Sequence, residues 1–284
     1  MNPSIQTRDH EAGTVPTLVL IHDALSSPLE FAALTQILGA RAVPFDFVEI
    51  PGYTHGGARP TLAWRTWLRA AGDLLDTRYG ADAPIVLGGF GTGGALAAAL
   101  ALERRPQRVC GVALLSPTFT RDRPSAASSG LMRLATTLRL DPWISVRKRA
   151  PFGIKNPKTR RFIASELEER GVSSIGPART PLRAVRESTR LHAHVRASLG
   201  ALSSPLLVLH ATDDEVTSLA SVTALVAGLG DRARLIALEH SHHMITLDND
   251  RQRVAHELAD FIGAPKRKAN APVASRTANS RLPR

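Results

Sequence analysis

The segment IVLGGFGTGGALAAALALE, residues 85–103, restricts the fold more than any other stretch of the chain. It opens on an apolar run, passes through a glycine-dense turn and continues as an alanine-rich stretch with no helix breaker. A strand that leaves through a tight turn into a helix is the repeating unit of a parallel sheet, because parallel neighbours need a crossover connection. The apolar run is continuous rather than alternating, so both faces of this strand must be covered.

The unit recurs on either side. Upstream lie TVPTLVLIHDAL from Thr14, the helical stretch SPLEFAALTQILGA, the strand AVPFDFVEI, the loop PGYTHGGARP and the helix TLAWRTWLRAAGDLLDTRYG; downstream comes the strand VCGVALLSP. This order predicts an α/β fold, a mostly parallel doubly wound sheet with right-handed crossovers. From Thr118 to about Ala184 the alternation stops. Charged, proline-spaced pieces such as SGLMRLATTLRL and KTRRFIASELEER predict an inserted helical cap without strands, with Leu131, Leu134 and Leu138 on a packing face. The pattern resumes with the helix PLRAVRESTRLHAHVRASLG, the strand PLLVLHATDDE, the helix SLASVTALVAGLG, the strand ARLIALEH and a last helix from about Asp250 to Ile262. The expected organisation is a flexible start at 1–13, a core of 14–117 and 185–264, a cap at 118–184 and a disordered basic tail at 265–284.

With 284 residues, 43% of them hydrophobic, the chain can bury one sizeable core. Its net charge of +11 raises the question of a polyanionic partner, and the charge is unevenly placed. Residues 121–200 hold 17 Lys and Arg against 6 Asp and Glu, and the tail holds 6 against none. These segments lack the aromatic interleaving that base readers use, so no specific nucleic-acid partner is expected. The opening MNPSIQTRDHEAGTVP has no apolar run and no segment is long enough for a membrane span, so the expectation is a cytoplasmic protein. The single Cys110 sits in an apolar run and reads as a buried structural thiol.

Ligands of open α/β sheets bind beyond the carboxyl ends of the strands. The loops there are HDALSSP after the first strand, GGFGTGG after the third, HATDDEV after the fifth and EHSHHMITLD after the sixth. They bring Gly, His and Asp to one rim, the residue types from which a nucleophile, a proton-moving histidine and an orienting acid are assembled. His22 reads as a structural histidine at a strand end, and Asp213 as a solvated loop acid. His240, His242 and His243 with Asp213 and Asp214 form no metal-ligand spacing, so neither a metal nor another cofactor is expected.

On these residues the chain resembles the α/β-hydrolases, and among them small bacterial carboxylesterases and monoacylglycerol-lipase-like enzymes of the serine aminopeptidase type, with a helical cap. The resemblance covers about Thr14 to Ala264 and rests on IHDA, PGYTHG, GFGTG, HATDDEV and SHHMITLD. It implies hydrolysis of a carboxylic ester, with a small-molecule ester or acyl ligand as partner. Carried over, Asp214 is the acid and His243 the base, while the backbone N–H groups of Ala24 and Thr92 form the oxyanion hole.

Two positions depart from the family pattern. Gly89-Phe90-Gly91-Thr92-Gly93 aligns with G-x-S-x-G and puts Gly91, inert as a glycine, where the serine nucleophile belongs. Sliding the motif to make Thr92 the nucleophile would put Phe90 where the turn needs a small residue. Asp23 stands where the family has Gly, and its carboxylate would oppose a developing oxyanion if it turned inward. Three readings follow: a pseudoenzyme with weak or no serine-hydrolase activity, an active hydrolase using Thr92 or a His243-activated water, and a non-catalytic ligand-binding or basic interaction protein.

Overall fold

In the computed structural model, residues 15–56, 63–80, 83–103, 108–123 and 144–263 are described. The expected cap helix with Leu131, Leu134 and Leu138, the start at 1–13 and the tail at 265–284 lie outside them.

Six strands form one sheet. They are β1 (Thr17–Ile21), β2 (Phe45–Phe47), β3 (Ile85–Phe90), β4 (Val109–Leu115), and two later strands, Leu206–Ala211 and Ala233–Leu238. Every pairing among them is parallel. From one edge the order is Ala233–Leu238, Leu206–Ala211, β4, β3, β1, β2, so the chain reverses its direction of travel between β1 and β3. The continuous apolar run of β3 is buried at all six positions, as expected for a strand near the middle of a two-sided sheet.

Alternate residues feed two cores. Val19, Ile21, Leu87, Val112, Leu114 and Val208 point to one face, where they pack with α2 (Trp64–Arg78) and α3 (Thr92–Glu103). Leu18, Leu20, Val86, Ala113, Leu115 and Leu209 point to the other, with α1 (Ala32–Ala40) and the C-terminal helix Arg251–Ile262. The strand period of two makes this division, and it is what doubly wound means for the side chains. Alanine suits α3, which is buried nearly all round, because small side chains let a helix sit close to the sheet. Cys110 is buried on β4, and burial pushes its thiol up to about 11.

The insertion differs from the sequence expectation. Among the described residues it holds β5 (Ser145–Arg147), α4 (Pro157–Arg170), β6 (Val172–Ser173), β7 (Gly176–Pro177) and β8 (Arg179–Pro181). β5 pairs antiparallel with β8 and β6 with β7, so the segment is not purely helical. Strands of two or three residues containing Gly or Pro have no apolar periodicity to reveal them. The helix in KTRRFIASELEER is present as α4, opened by Asn156, whose side chain accepts from the Lys158 and Thr159 N–H groups. The chain then returns to the core through α5 (Leu182–Ser198), β9 (Leu206–Ala211), α6 (Leu219–Ala227), β10 (Ala233–Leu238) and α7 (Arg251–Ile262).

Candidate functional site

The reversal between β1 and β3 opens a crevice at their carboxyl ends, where the loops on either side travel apart. Asp23 follows β1 and Gly91 follows β3, and β1 and β3 are direct neighbours. The turn out of β3 is as tight as its glycines suggest. A Cβ on Gly89 would lie 2.3 Å from the Gly93 carbonyl carbon, and one on Gly93 would lie 2.1 Å from the Ile21 oxygen. Gly91 sits between them at the apex with φ +53°, its N–H bonded to the Leu115 carbonyl at 3.0 Å, and α3 starts at the next residue. This register puts Gly91, not Thr92, at the summit of the elbow.

The loops after β9 and β10 bring Asp214 and His243 together. His243 Nδ1 lies 2.7 Å from Asp214 Oδ2. The other carboxylate oxygen accepts from the N–H groups of Val216 and Thr217 at 2.7 and 3.0 Å, so Asp214 is held on both sides. Burial opposes its charge, but His243 and these hydrogen bonds prevail and hold its carboxyl at about 2. An ionised Asp214 requires the proton on Nδ1 and orients Nε2 away from it. Burial depresses the His243 imidazole, and Asp214, with Asp23 farther off, more than offsets it; the net shift is upward. Nε2 has no hydrogen-bond partner among the described residues. The ring leans on Phe90 with centroids 5.1 Å apart, and the Ser116 hydroxyl donates to the His243 carbonyl at 2.7 Å. Two carboxylates brace this loop: Asp248 accepts from the N–H groups of His242, Lys155 and Asn156, and Asp250 from those of His240 and the Ser241 hydroxyl. Asp248 thereby ties the insertion to the histidine loop, and the Met244 N–H donates to the Gly153 carbonyl at 2.8 Å.

The Asp23 carboxylate turns inward. Its Oδ1 accepts the Thr92 N–H at 2.9 Å. Of the two amides that would form an oxyanion hole, that of Thr92 is thus engaged by a side chain of the protein itself. Burial would push the Asp23 carboxyl up, yet hydrogen bonding from Thr92 and the charge of Lys148 outweigh it and hold it below the usual carboxylate range. A Cβ on Gly91 would stand 3.0 Å from Asp23 Oδ1, so the carboxylate also takes the space beside the apex. Glu30 sits behind it, accepting the Asp23 N–H at 3.2 Å; burial and then the neighbouring Asp23 charge push its carboxyl well above the usual range.

His22 is built into the scaffold. Nδ1 donates to the Asp23 carbonyl at 2.7 Å, Nε2 meets the Thr54 hydroxyl at 2.9 Å, and burial lowers the ring to about 4. The PGYTHG loop is its brace, with the Tyr53 hydroxyl donating to the His22 carbonyl at 2.7 Å. Asp213 is exposed and paired with Lys155 at 2.9 Å.

Asp23, Gly91, Thr92 and His243 line one cavity of about 600 Å³, together with Phe90, Phe152, Ile175, Val216 and Met244 on its apolar side. Sequence reasoning named the residues of the crevice but missed Glu30, Arg121 and Lys148, which line it too. Glu30 reads as an ordinary acidic residue at a helix start, and the two cations are lost among the many of the insertion.

Fold and crevice define an α/β-hydrolase. A family profile described as serine aminopeptidase, S33, matches residues 68–250, well over half of the chain, and the chain belongs to that family. The thermostable monoacylglycerol lipase of Bacillus sp. (strain H-257) is 24% identical over 106 residues, 37% of this chain and 42% of that enzyme, so the match spans less than half of that relative. Among solved structures, a soluble variant of monoglyceride lipase from Saccharomyces cerevisiae, in complex with a substrate analog, superposes with a TM-score of 0.73 at 13% identity, covering 92% of this chain and 95% of that one. A structure from work on the metagenome-derived lipolytic enzymes LipS and LipT gives 0.67 at 20% identity, covering 92% and 98%. At such identities these likenesses concern the fold.

Proposed function

We propose that this chain is an α/β-hydrolase of carboxylesterase and lipase lineage with little or no serine-hydrolase activity, its crevice serving as a binding site for an acyl or ester small molecule. In this reading Gly91 occupies the nucleophile position, and His243 and Asp214 are the base and acid of a triad that lacks its third member. The observation that carries it is the Asp23 carboxylate on the Thr92 N–H at 2.9 Å.

Two independent deficits add up. Without a nucleophile, a triad loses on the order of 10⁶ in turnover. The carboxylate removes what would remain, because residual catalysis rests on oxyanion stabilisation. A developing oxyanion about 4 Å from a fixed carboxylate is disfavoured by roughly 4 kcal/mol at an effective dielectric near 20. The alternatives are less well supported. Thr92 lies one residue past the apex, at the start of α3, and the room beside Gly91 that a His243-activated water would use is taken by Asp23 Oδ1.

The test is fluorophosphonate labelling of the wild-type protein, with a panel of short- and medium-chain p-nitrophenyl esters and monoacylglycerols. No label and no turnover above that of His243→Ala are expected. Stoichiometric labelling, or turnover abolished by His243→Ala, would refute the reading.

A further inference from the structure

Arg121 lies just past β4 on the wall of the crevice, lining both the 600 Å³ cavity and a contiguous one of about 160 Å³ that also touches Asp23, Ala24 and Thr92. Its guanidinium makes no hydrogen bond among the described residues, and its Nε is enclosed without a partner. A half-buried cation with one donor shut off from both water and protein is costly, since a guanidinium carries donors and no acceptor and stays charged. The surroundings do not relieve it: burial disfavours its charge, the nearest compensation is Asp23, beyond ion-pair distance, and His192 and His243 are also close enough to interact with its charge. A structure that keeps such a group aimed into a cavity has a use for an acceptor there.

The other charged groups of the cavity leave that place open. The carboxylates facing it are Asp23, Glu30 and Glu215. Asp23 is engaged with the Thr92 N–H, Glu30 accepts the Asp23 N–H, and burial pushes both Glu30 and Glu215 toward their neutral forms. Lys148 is committed to the Ile175 carbonyl, and Arg147 and Arg149 stand exposed at the rim. His243, which also lines the cavity, presents Nε2 without a partner among the described residues, and Phe90, Phe152, Ile175, Val216 and Met244 give the cavity an apolar side.

We propose that the cavity binds a carboxylic acid in its ionised form, the carboxylate seated between Arg121 and His243 Nε2 and the apolar body against the phenylalanine wall. This deepens the ligand-binding reading above and rests on it: a crevice descended from an ester-cleaving one, with its oxyanion hole filled, retains the acid and not the ester. Fork-shaped guanidinium donors match a planar carboxylate, and charge-assisted hydrogen bonds are the strong ones. An ester of the same chain offers only neutral acceptors and should bind at least about tenfold more weakly.

The experiment is isothermal calorimetry of the full chain with octanoate, methyl octanoate and octylphosphonate, on wild type, Arg121→Met and Arg121→Lys, with thermal melting of each variant. Octanoate should bind wild type at least about tenfold more tightly than its methyl ester, and Arg121→Met should abolish that preference while its melting temperature holds or rises. Arg121→Lys should keep part of the preference. Arg121-dependent binding of octylphosphonate supports the same anion seat, and the tighter of the two anions assigns the head group. Equal affinity for acid and ester, no binding of either anion, or binding indifferent to Arg121 would overturn the proposal. Should Arg121→Met fail to fold, the carbonyl ¹³C shift of carboxyl-labelled octanoate on wild type decides: an ionised carboxylate broadened on binding supports the seat, and the neutral acid refutes it. Methyl octanoate left unhydrolysed, with acid binding absent, sinks this inference alone; its turnover to octanoate and methanol sinks the reading beneath it.

Discussion

On the proposed reading, introducing a hydroxyl at position 91 separates the two deficits of the crevice. The perturbation is Gly91→Ser, alone and together with Asp23→Gly. A serine Cβ at position 91 meets Asp23 Oδ1 at 3.0 Å and Cγ at 3.3 Å, closer than a relaxed contact, and the apex φ of +53° adds about 1–2 kcal/mol for a residue with a side chain. In the single variant the new hydroxyl faces a carboxylate that still holds the Thr92 amide. The oxyanion then forms beside a negative charge with that donor engaged. Removing the carboxylate relieves roughly 4 kcal/mol of repulsion at an effective dielectric near 20, and the Thr92 amide set free is worth on the order of 10² to 10³ in rate. These contributions overlap, so the expected advantage of the double variant over the single one is at least about 10³-fold, most of the way toward a working acyl-enzyme. The assay is initial rates on p-nitrophenyl butyrate with fluorophosphonate labelling monitored by intact mass, and His243→Ala in the double background as control. A single variant within tenfold of the double one would show that Asp23 does not block the hole. A double variant that folds but neither labels nor turns over would refute the assignment of the elbow.

Three further variants have expected outcomes. Glu30→Gln keeps an acceptor for the Asp23 N–H and removes a buried acid whose folded-state carboxyl lies well above its usual 4.5. A raised group contributes its stability below the unfolded value and loses it as pH rises, so the variant should gain on wild type by up to about 1.4 kcal/mol per pH unit above that point; a melting-temperature difference unchanged between pH 5 and pH 8 would contradict this. Gly93→Ala drives a Cβ to 2.1 Å from the Ile21 oxygen and should leave no folded protein, while Gly39→Ala, with nothing within 4 Å inside α1, should stabilise by about 0.5–1 kcal/mol in urea titration.

The sheet and its order of helices were readable in the chain because each strand signals itself locally. Apolar runs such as TLVLI and IVLGGF have the length and composition of two-sided strands, and the glycines at 89, 91 and 93 announce the turn that their contacts then require. The Asp214 and His243 loops were equally legible, since both lie next to strand ends that must meet at one rim. The short strands of the insertion were not, because pairs such as Val172–Ser173 with Gly176–Pro177 exist only through their partners. Nor could the chain itself declare which way Asp23 points. Its carboxylate meets the Thr92 N–H across 69 residues of sequence, and that meeting depends on β1 and β3 being neighbours at the point where the sheet reverses. Arg121 is the same case: one arginine among many in a basic segment becomes informative only when packing encloses its Nε without an acceptor. Local pattern decides which elements form, because periodicity and turn chemistry act within a few residues; side-chain direction at a crevice is decided by what the far chain brings to it.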